Sequence, residues 1–322
     1  MTVGPRLRLF ALTILSSTVL GAALSGAADP VRITAAANVT LRQAPNPGAS
    51  AVAYLPLGTE VTEAGPPGMD KTWVHVRLAD GREGWLLASA ARPIDPRRRW
   101  PVIEQIVQDR LGRRGDSFPA LVELADFVER VSRDVPDAET DARFDLYRLR
   151  AVSAGLAAIP FRKADRDPYL SWLDRHKALA VYDEPGGRWI LANAAVWQAH
   201  DRHPDAAAAD DLAWLTVTNG LPGECEGVVT CYLDWQNRLP GEYLRRHPSG
   251  RHADAAVLSI KETVDRLLAP APAHALQAFS RDQDCRALTA TVAALSSAVS
   301  AARAVNRDET LQSLKVLNGW CK

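Results

Sequence analysis

Between Asn38 and Leu87, polar and apolar side chains alternate in short runs broken by turn formers. Asn38-Val39-Thr40-Leu41-Arg42, Ala51-Val52-Ala53-Tyr54-Leu55 and Thr59-Glu60-Val61-Thr62-Glu63 each read as a strand. So do Trp73-Val74-His75-Val76-Arg77 and Gly84-Trp85-Leu86-Leu87. The breaks fall at Pro45 to Gly48, at Pro56-Leu57-Gly58 and at Asp80-Gly81, the last a hairpin signal. Short strands at this spacing predict a small closed β-barrel, placed over residues 30–92.

Residues 93–99, within ARPIDPRRR, read as a linker, because Pro93 and Pro96 break helices and three arginines stay solvated. From Trp100 the period lengthens to that of a helix. Val102, Ile103, Ile106, Val107 and Leu111 form one stripe closed by Gly112. Ser117 is placed to cap a second helix with Pro119 in its first turn and a stripe of Leu121, Leu124, Phe127, Val128 and Val131. A long helix is predicted from Asp137 to Ala158. Residues 160–187 are irregular, with Pro160, Pro168, Pro185 and the pair Gly186-Gly187. Two Ala- and Leu-rich helices close the chain, Asp282 to Ala304 and Thr310 to Cys321, with Asp308 as a cap for the second. Residues 100–322 therefore predict an all-α domain.

Within that domain Arg202-His203-Pro204 to Asp210 aligns with Arg246-His247-Pro248 to Asp254 at an offset of 44 residues. An apolar helix precedes each copy (Trp189 to Ala199; Cys231 to Leu244) and another follows (Asp210 to Thr218; Asp254 to Leu268). Stacked helix pairs of this kind expose an apolar face that a neighbouring pair must cover. The turn is similar to the end-of-helix turns of tetratricopeptide-like repeats.

The N-terminus changes the compartment. Arg6 and Arg8 precede an uncharged apolar run from Leu9 to Leu24, and Ser25-Gly26-Ala27-Ala28 supplies small residues for cleavage. A signal peptide over residues 1–28 is expected, with an uncleaved anchor as the alternative. No cysteine lies near the cleavage site, so lipid attachment there is not expected. Removing the two arginines leaves 36 basic and 38 acidic residues, a net charge of −2, which argues against nucleic acid as a partner.

Four cysteines remain, Cys225, Cys231, Cys285 and Cys321. An even count in an exported chain favours disulfides, and Cys225–Cys231 with Cys285–Cys321 is the most economical of three pairings. The second would stabilise by about 3 kcal/mol on the loop-entropy model. A zinc site is the rival reading, but the spacing lacks a CxxC knuckle. His200 and His203, with Asp201 and Asp205 beside them, lie at a helix end, where an imidazolium suits the dipole. No metal-binding pattern such as HExxH accompanies them. His252 and His274 stand alone and read as surface residues. Asp210-Asp211 reads as a helix cap and dipole pair, and Glu224 and Glu226 as solvated loop charges. No GxSxG elbow or SxxK motif occurs. No catalytic residue, metal or cofactor is assigned.

The motifs NVTLRQAPNPGA, LPLGTEV, WVHVRLADGREGW and the tail WLLAS resemble, in order and spacing, the bacterial SH3-like (SH3b) domain. The resemblance covers about one fifth of the chain. It implies a cell-envelope module that binds peptidoglycan or its peptides beside another domain, and it does not imply catalysis. Tyr54 and Trp73 are the ligand-binding candidates, as aromatic walls of a shallow groove; Trp85, after Gly84, reads as core. Trp189, Trp197, Trp214 and Trp235 read as core of the helical part. SH3b domains often accompany Cys–His cell-wall peptidases. Cys225 in GECEG is the one cysteine in a glycine-flanked loop, but a disulfide to Cys231 would make it inert.

The expectation is an exported, non-enzymatic protein of the periplasm or cell exterior, its barrel docked on peptidoglycan or an envelope protein. Two alternatives stand beside it. A cell-wall hydrolase would need a cleft with a desolvated Glu. A scaffold whose barrel binds nothing would show a large apolar interface between barrel and helices.

Overall fold

The computed structural model describes Met1 and residues 29–65, 71–270 and 279–322. The expected signal segment, Met1 aside, and His274 lie outside the described residues.

Seven strands open the fold: β1 (Val31–Thr34), β2 (Val39–Arg42), β3 (Ala51–Leu55), β4 (Glu60–Glu63), β5 (Trp73–Arg77), β6 (Glu83–Leu87) and β7 (Ala91–Ile94). They form one antiparallel sheet in the order β3-β2-β6-β5-β4-β1-β7, so the ladder has two ends instead of closing. Leu55 of β3 and Ala91 of β7, from those two ends, both join the core of Leu41, Val61, Val76 and Leu86, so the sheet curls around one interior. Asp80-Gly81 makes the expected turn, with Gly81 at φ +86° and the Asp80 carboxylate accepting the Arg82 amide.

The expected linker is replaced by structure. Its first residues complete β7, where Pro93 lies opposite Arg32 of the neighbouring β1; an end strand tolerates the missing N–H. A short 3-10 turn (Pro96–Arg98), capped by the Asp95 carboxylate, leads straight into helix.

The helical region runs α1 (Arg99–Leu111), α2 (Phe118–Val131), α3 (Ala138–Ala157) and α4 (Tyr169–His176), then a hairpin of β8 (Ala180–Asp183) and β9 (Arg188–Leu191). It continues as α5 (Asn193–Arg202), α6 (Ala209–Asn219), α7 (Val229–Arg238), α8 (Pro240–Arg246), α9 (Ala253–Leu268), α10 (Arg281–Ala301) and α11 (Arg307–Asn318). The region is largely helical, as expected, with one hairpin, β8–β9, that begins in the segment expected only to be irregular. Trp189 consequently lies in β9, not in a helix. The segment from Cys231 to Leu244 is broken at Pro240, whose ring cannot follow a helical residue without a clash. Ser117 holds the N-cap position of α2 but makes no side-chain cap bond, and Asn306, not Asp308, sits at the N-cap of α11.

The barrel is not an independent bead. Ile33, Leu57 and Ile94 share a core with Ile103 and Ile106 of α1, Leu124 and Phe127 of α2, and Phe144 of α3. Polar groups fix the same joint. The Glu123 carboxylate accepts the backbone N–H of Leu57 and, at 3.2 Å, that of Asn38. Arg130 donates to the Leu57 carbonyl at 2.9 Å, and Arg99 pairs with Glu60 at 2.8 Å. The disulfides are Cys225–Cys231 and Cys285–Cys321, the pairing expected from spacing.

Candidate functional site

Leu41, Val76 and Leu86 point into the barrel interior, so alternation turns Thr40, Arg42, His75 and Trp85 to its outer face. Register brings them side by side: Arg42 and His75 both lie opposite Trp85, and Tyr54 lies opposite Thr40. The His75 and Trp85 rings are 4.8 Å apart and tilted by 31°. The His75 Nδ1 lies 2.6 Å from the Ala64 carbonyl, which fixes the imidazole. Arg77 bonds Glu83 at 2.6 Å and holds its carboxyl below the usual carboxylate range.

The two aromatic candidates occupy different places on this face. Tyr54 stands in solvent, 64% exposed, while Trp73 is 7% exposed. Trp73 forms part of a hollow of about 220 Å³, bordered by Thr40, Arg42 and Leu87, with Tyr54 outside it next to Thr40. Trp85, expected in the core, is half-buried on the outer face instead, because Gly84 and Leu86 take the inward positions. With exposed Leu87 these groups make an apolar, aromatic surface edged by Arg42. Such a surface suits stacking and apolar contact.

A second constellation lies where the two repeat copies meet. His203 and His247 hold the same turn, with φ −135°, ψ 52° and φ −129°, ψ 62°. Each reaches toward the preceding layer: His203 lies 3.3 Å from Asp141 and 3.4 Å from Asp145 of α3, and His247 meets His200 of α5. Asp210 and Asp211 do more than begin α6. Asp210 accepts the Tyr243 hydroxyl at 2.5 Å and the Arg251 amide at 2.9 Å, and Asp211 pairs with His252 at 2.8 Å. His252 is therefore not a lone surface residue; its ring stacks on Trp214 at 4.9 Å. Trp197, Trp214 and Trp235 are half-buried, the first two packed against the C-terminal core. Burial pushes the Asp210 carboxyl up, yet the Tyr243 and Arg251 bonds outweigh it and keep it low, while burial and Asp210 push the Tyr243 phenol up. Among the described residues no three ligating side chains converge on a metal position. Glu224 and Glu226 are exposed, and Cys225 is buried in its disulfide.

The His200 and His247 Nε2 atoms are 2.9 Å apart, so one must donate and the other accept. Burial, then nearby His200 and Arg246, push the His247 pKa down despite the opposing pull of Asp210. The unfolded chain then binds the proton more readily than the folded one. Stability should be full above about pH 6.5 and fall as the pH drops below that value, until the lower folded pKa is passed. Asp201 and Asp210, both held low, lose their contribution only below about pH 4, outside this window. Urea midpoints at pH 8 and pH 5 check the sign, and His247→Gln is expected to flatten the difference. An equal slope in wild type and variant would remove His247 as its source.

Residues 37–90 match the family model described as Bacterial SH3 domain, about one sixth of the chain. This agrees with the resemblance read from the barrel motifs. The match ends before the helical region, and nothing in it supports a tetratricopeptide-like assignment there. No curated protein matches the chain.

Proposed function

We propose that this chain is an exported, non-enzymatic cell-envelope protein whose barrel binds peptidoglycan, or a protein attached to it, through the outer face of its sheet. The observation that carries this reading is the surface of Tyr54, Leu87 and the His75–Trp85 pair around the Trp73 hollow. Bacterial SH3 domains are typically cell-wall binding modules, which makes the wall the first ligand to try. The signal-like residues 6–28 and the pairing of all four cysteines support a periplasmic or extracellular setting. The helical region fixes the barrel in one orientation and presents its own surface to partners.

Co-sedimentation of the mature chain with purified sacculi tests this. The isolated helices are a poor control, because α1, α2 and α3 share a core with Ile33, Leu57 and Ile94. Point variants of exposed residues serve instead. Wild type should pellet, and Tyr54→Ala with Leu87→Ser should reduce the bound fraction at least about fivefold, as loss of an aromatic anchor does. Variants that pellet like wild type would place binding elsewhere.

A second reading has an observation behind it. The apolar joint between barrel and helices fits a scaffold whose barrel has no ligand of its own. Failure of the wild-type chain to pellet would favour that reading.

A further inference from the structure

We propose that the groove around the β8–β9 hairpin is a separate binding site, for a neutral pyranose oligosaccharide. Two hollows of about 430 and 350 Å³ adjoin there and share Ala164, Asp165 and Trp189. Among the described residues of the helical region few large apolar side chains are exposed, and three of them, Phe161, Leu170 and Tyr182, line this one groove. Gathered around one groove, they offer apolar surface for a ligand to contact.

The aromatic rings are held, not loose. Tyr182 lies opposite Trp189 in the hairpin ladder, with ring centroids 5.2 Å apart. The Phe161 ring is covered by the Arg162 guanidinium at 5.0 Å. Arg162 adopts φ +62°, a left-handed backbone that costs a non-glycine residue energy and clusters at functional sites. Gly187, at φ +59°, completes the seat, since a β-carbon there would lie 2.6 Å from the Phe161 ring. The turn end of the hairpin is tied down as well. The buried Asp183 carboxylate accepts the Gly223 amide at 3.0 Å and Arg188 at 3.3 Å. The Trp189 Nε1–H, in the wall common to both hollows, is buried without a hydrogen-bond partner among the described residues.

Charge selects the ligand class. Arg162, Arg188 and Lys177 line the groove together with Asp165 and Asp174. A rim of both signs repels an ion of either sign somewhere along its length. It suits an uncharged ligand whose hydroxyls both donate and accept. Flat aromatic surfaces beside such groups match the C–H face of a pyranose ring.

The site uses none of the barrel residues, so it stands or falls separately from the wall-binding reading. The mature chain is titrated with chitotetraose and with cellotetraose, followed by calorimetry and by tryptophan fluorescence. Saturable binding of either is expected, weakened at least about tenfold (about 1.4 kcal/mol) in Phe161→Ala and in Tyr182→Ala. Tyr54→Ala on the barrel should bind as wild type does. Phe161 and Tyr182 are exposed, so urea midpoints should not move; Leu170→Asn, also at an exposed position, replaces either variant if one does. No saturable binding by either saccharide overturns the proposal. So does binding that survives in the groove variants, binding lost in Tyr54→Ala, or preference for an oligoproline peptide.

Discussion

Gly58→Ala is expected to destabilise the whole barrel–helix unit by about 3 kcal/mol. Gly58 ends the Pro56-Leu57-Gly58 turn at φ +80°, where an L-residue pays about 1 kcal/mol in backbone strain. A β-carbon added there would sit 2.1 Å from Cε2 of Phe127 and 2.3 Å from Cδ2. One of the two must move. Phe127 is fully buried in the shared core, with Leu124 and Val128 beside it, so its ring has nowhere to swing without strain. The turn cannot yield either, because Glu123 holds the Leu57 amide and Arg130 holds its carbonyl. Overpacking of such a site costs about 1–3 kcal/mol, which added to the backbone term gives the expected loss.

Urea unfolding of the mature chain measures it. Phe127→Ala alone should cost about 3–5 kcal/mol by leaving a cavity. The double variant should lose less than the two singles together, because the missing ring makes room for the new methyl. A Gly58→Ala midpoint within about 0.5 kcal/mol of wild type would show that the turn slides freely over α2, contrary to the packing.

That joint shows where the sequence was legible and where it was not. Period-2 runs located β2 to β6, and Pro56-Leu57-Gly58 was readable as a turn. The Phe127 stripe was readable as a buried helix face. Nothing local links the two, since periodicity names the face that is buried but not the surface that buries it. The strands β1 and β7 escaped for related reasons. Val31 to Thr34 runs into Ala35-Ala36-Ala37, which extends no alternation, and Pro93 argues against a strand unless the strand lies at the end of a sheet.

The histidines tell the same story. Read one at a time, His200, His247 and His252 are helix-end and surface residues. Their partners lie far off in sequence: His200 meets His247 at a separation of 47 positions, and His252 meets Asp211 at 41. The near-repeat at offset 44 was the available signal that the two turns stack. Trp85 was misplaced by one step of alternation: Gly84 looks like a break, yet it occupies the inward position and sends its neighbour outward.

Removing the Cys285–Cys321 disulfide is the other change with a large expected effect, about 3–4 kcal/mol. The bridge spans 36 positions, from Cys285 near the start of α10 to Cys321 just after α11. In the loop-entropy account its worth rises with the logarithm of the closed loop. Cys225–Cys231 spans only 6 positions and should be worth about 2 kcal/mol on the same account. The native contacts around the longer bridge argue that the fold itself survives. Leu314 and Leu317 of α11 are buried against the same core as Ile260 and Val264 of α9. Ser313 donates to Asp265 at 2.7 Å, and Arg281 donates to the Trp320 carbonyl at 2.9 Å. The loss should therefore appear as a lower urea midpoint for Cys285→Ser/Cys321→Ser with native circular dichroism retained, and as a smaller drop for Cys225→Ser/Cys231→Ser. Equal drops for the two pairs would mean that loop length does not govern the contribution. No drop in the first would mean that α11 is held by its packing on α9 alone, with the disulfide adding nothing to the native balance.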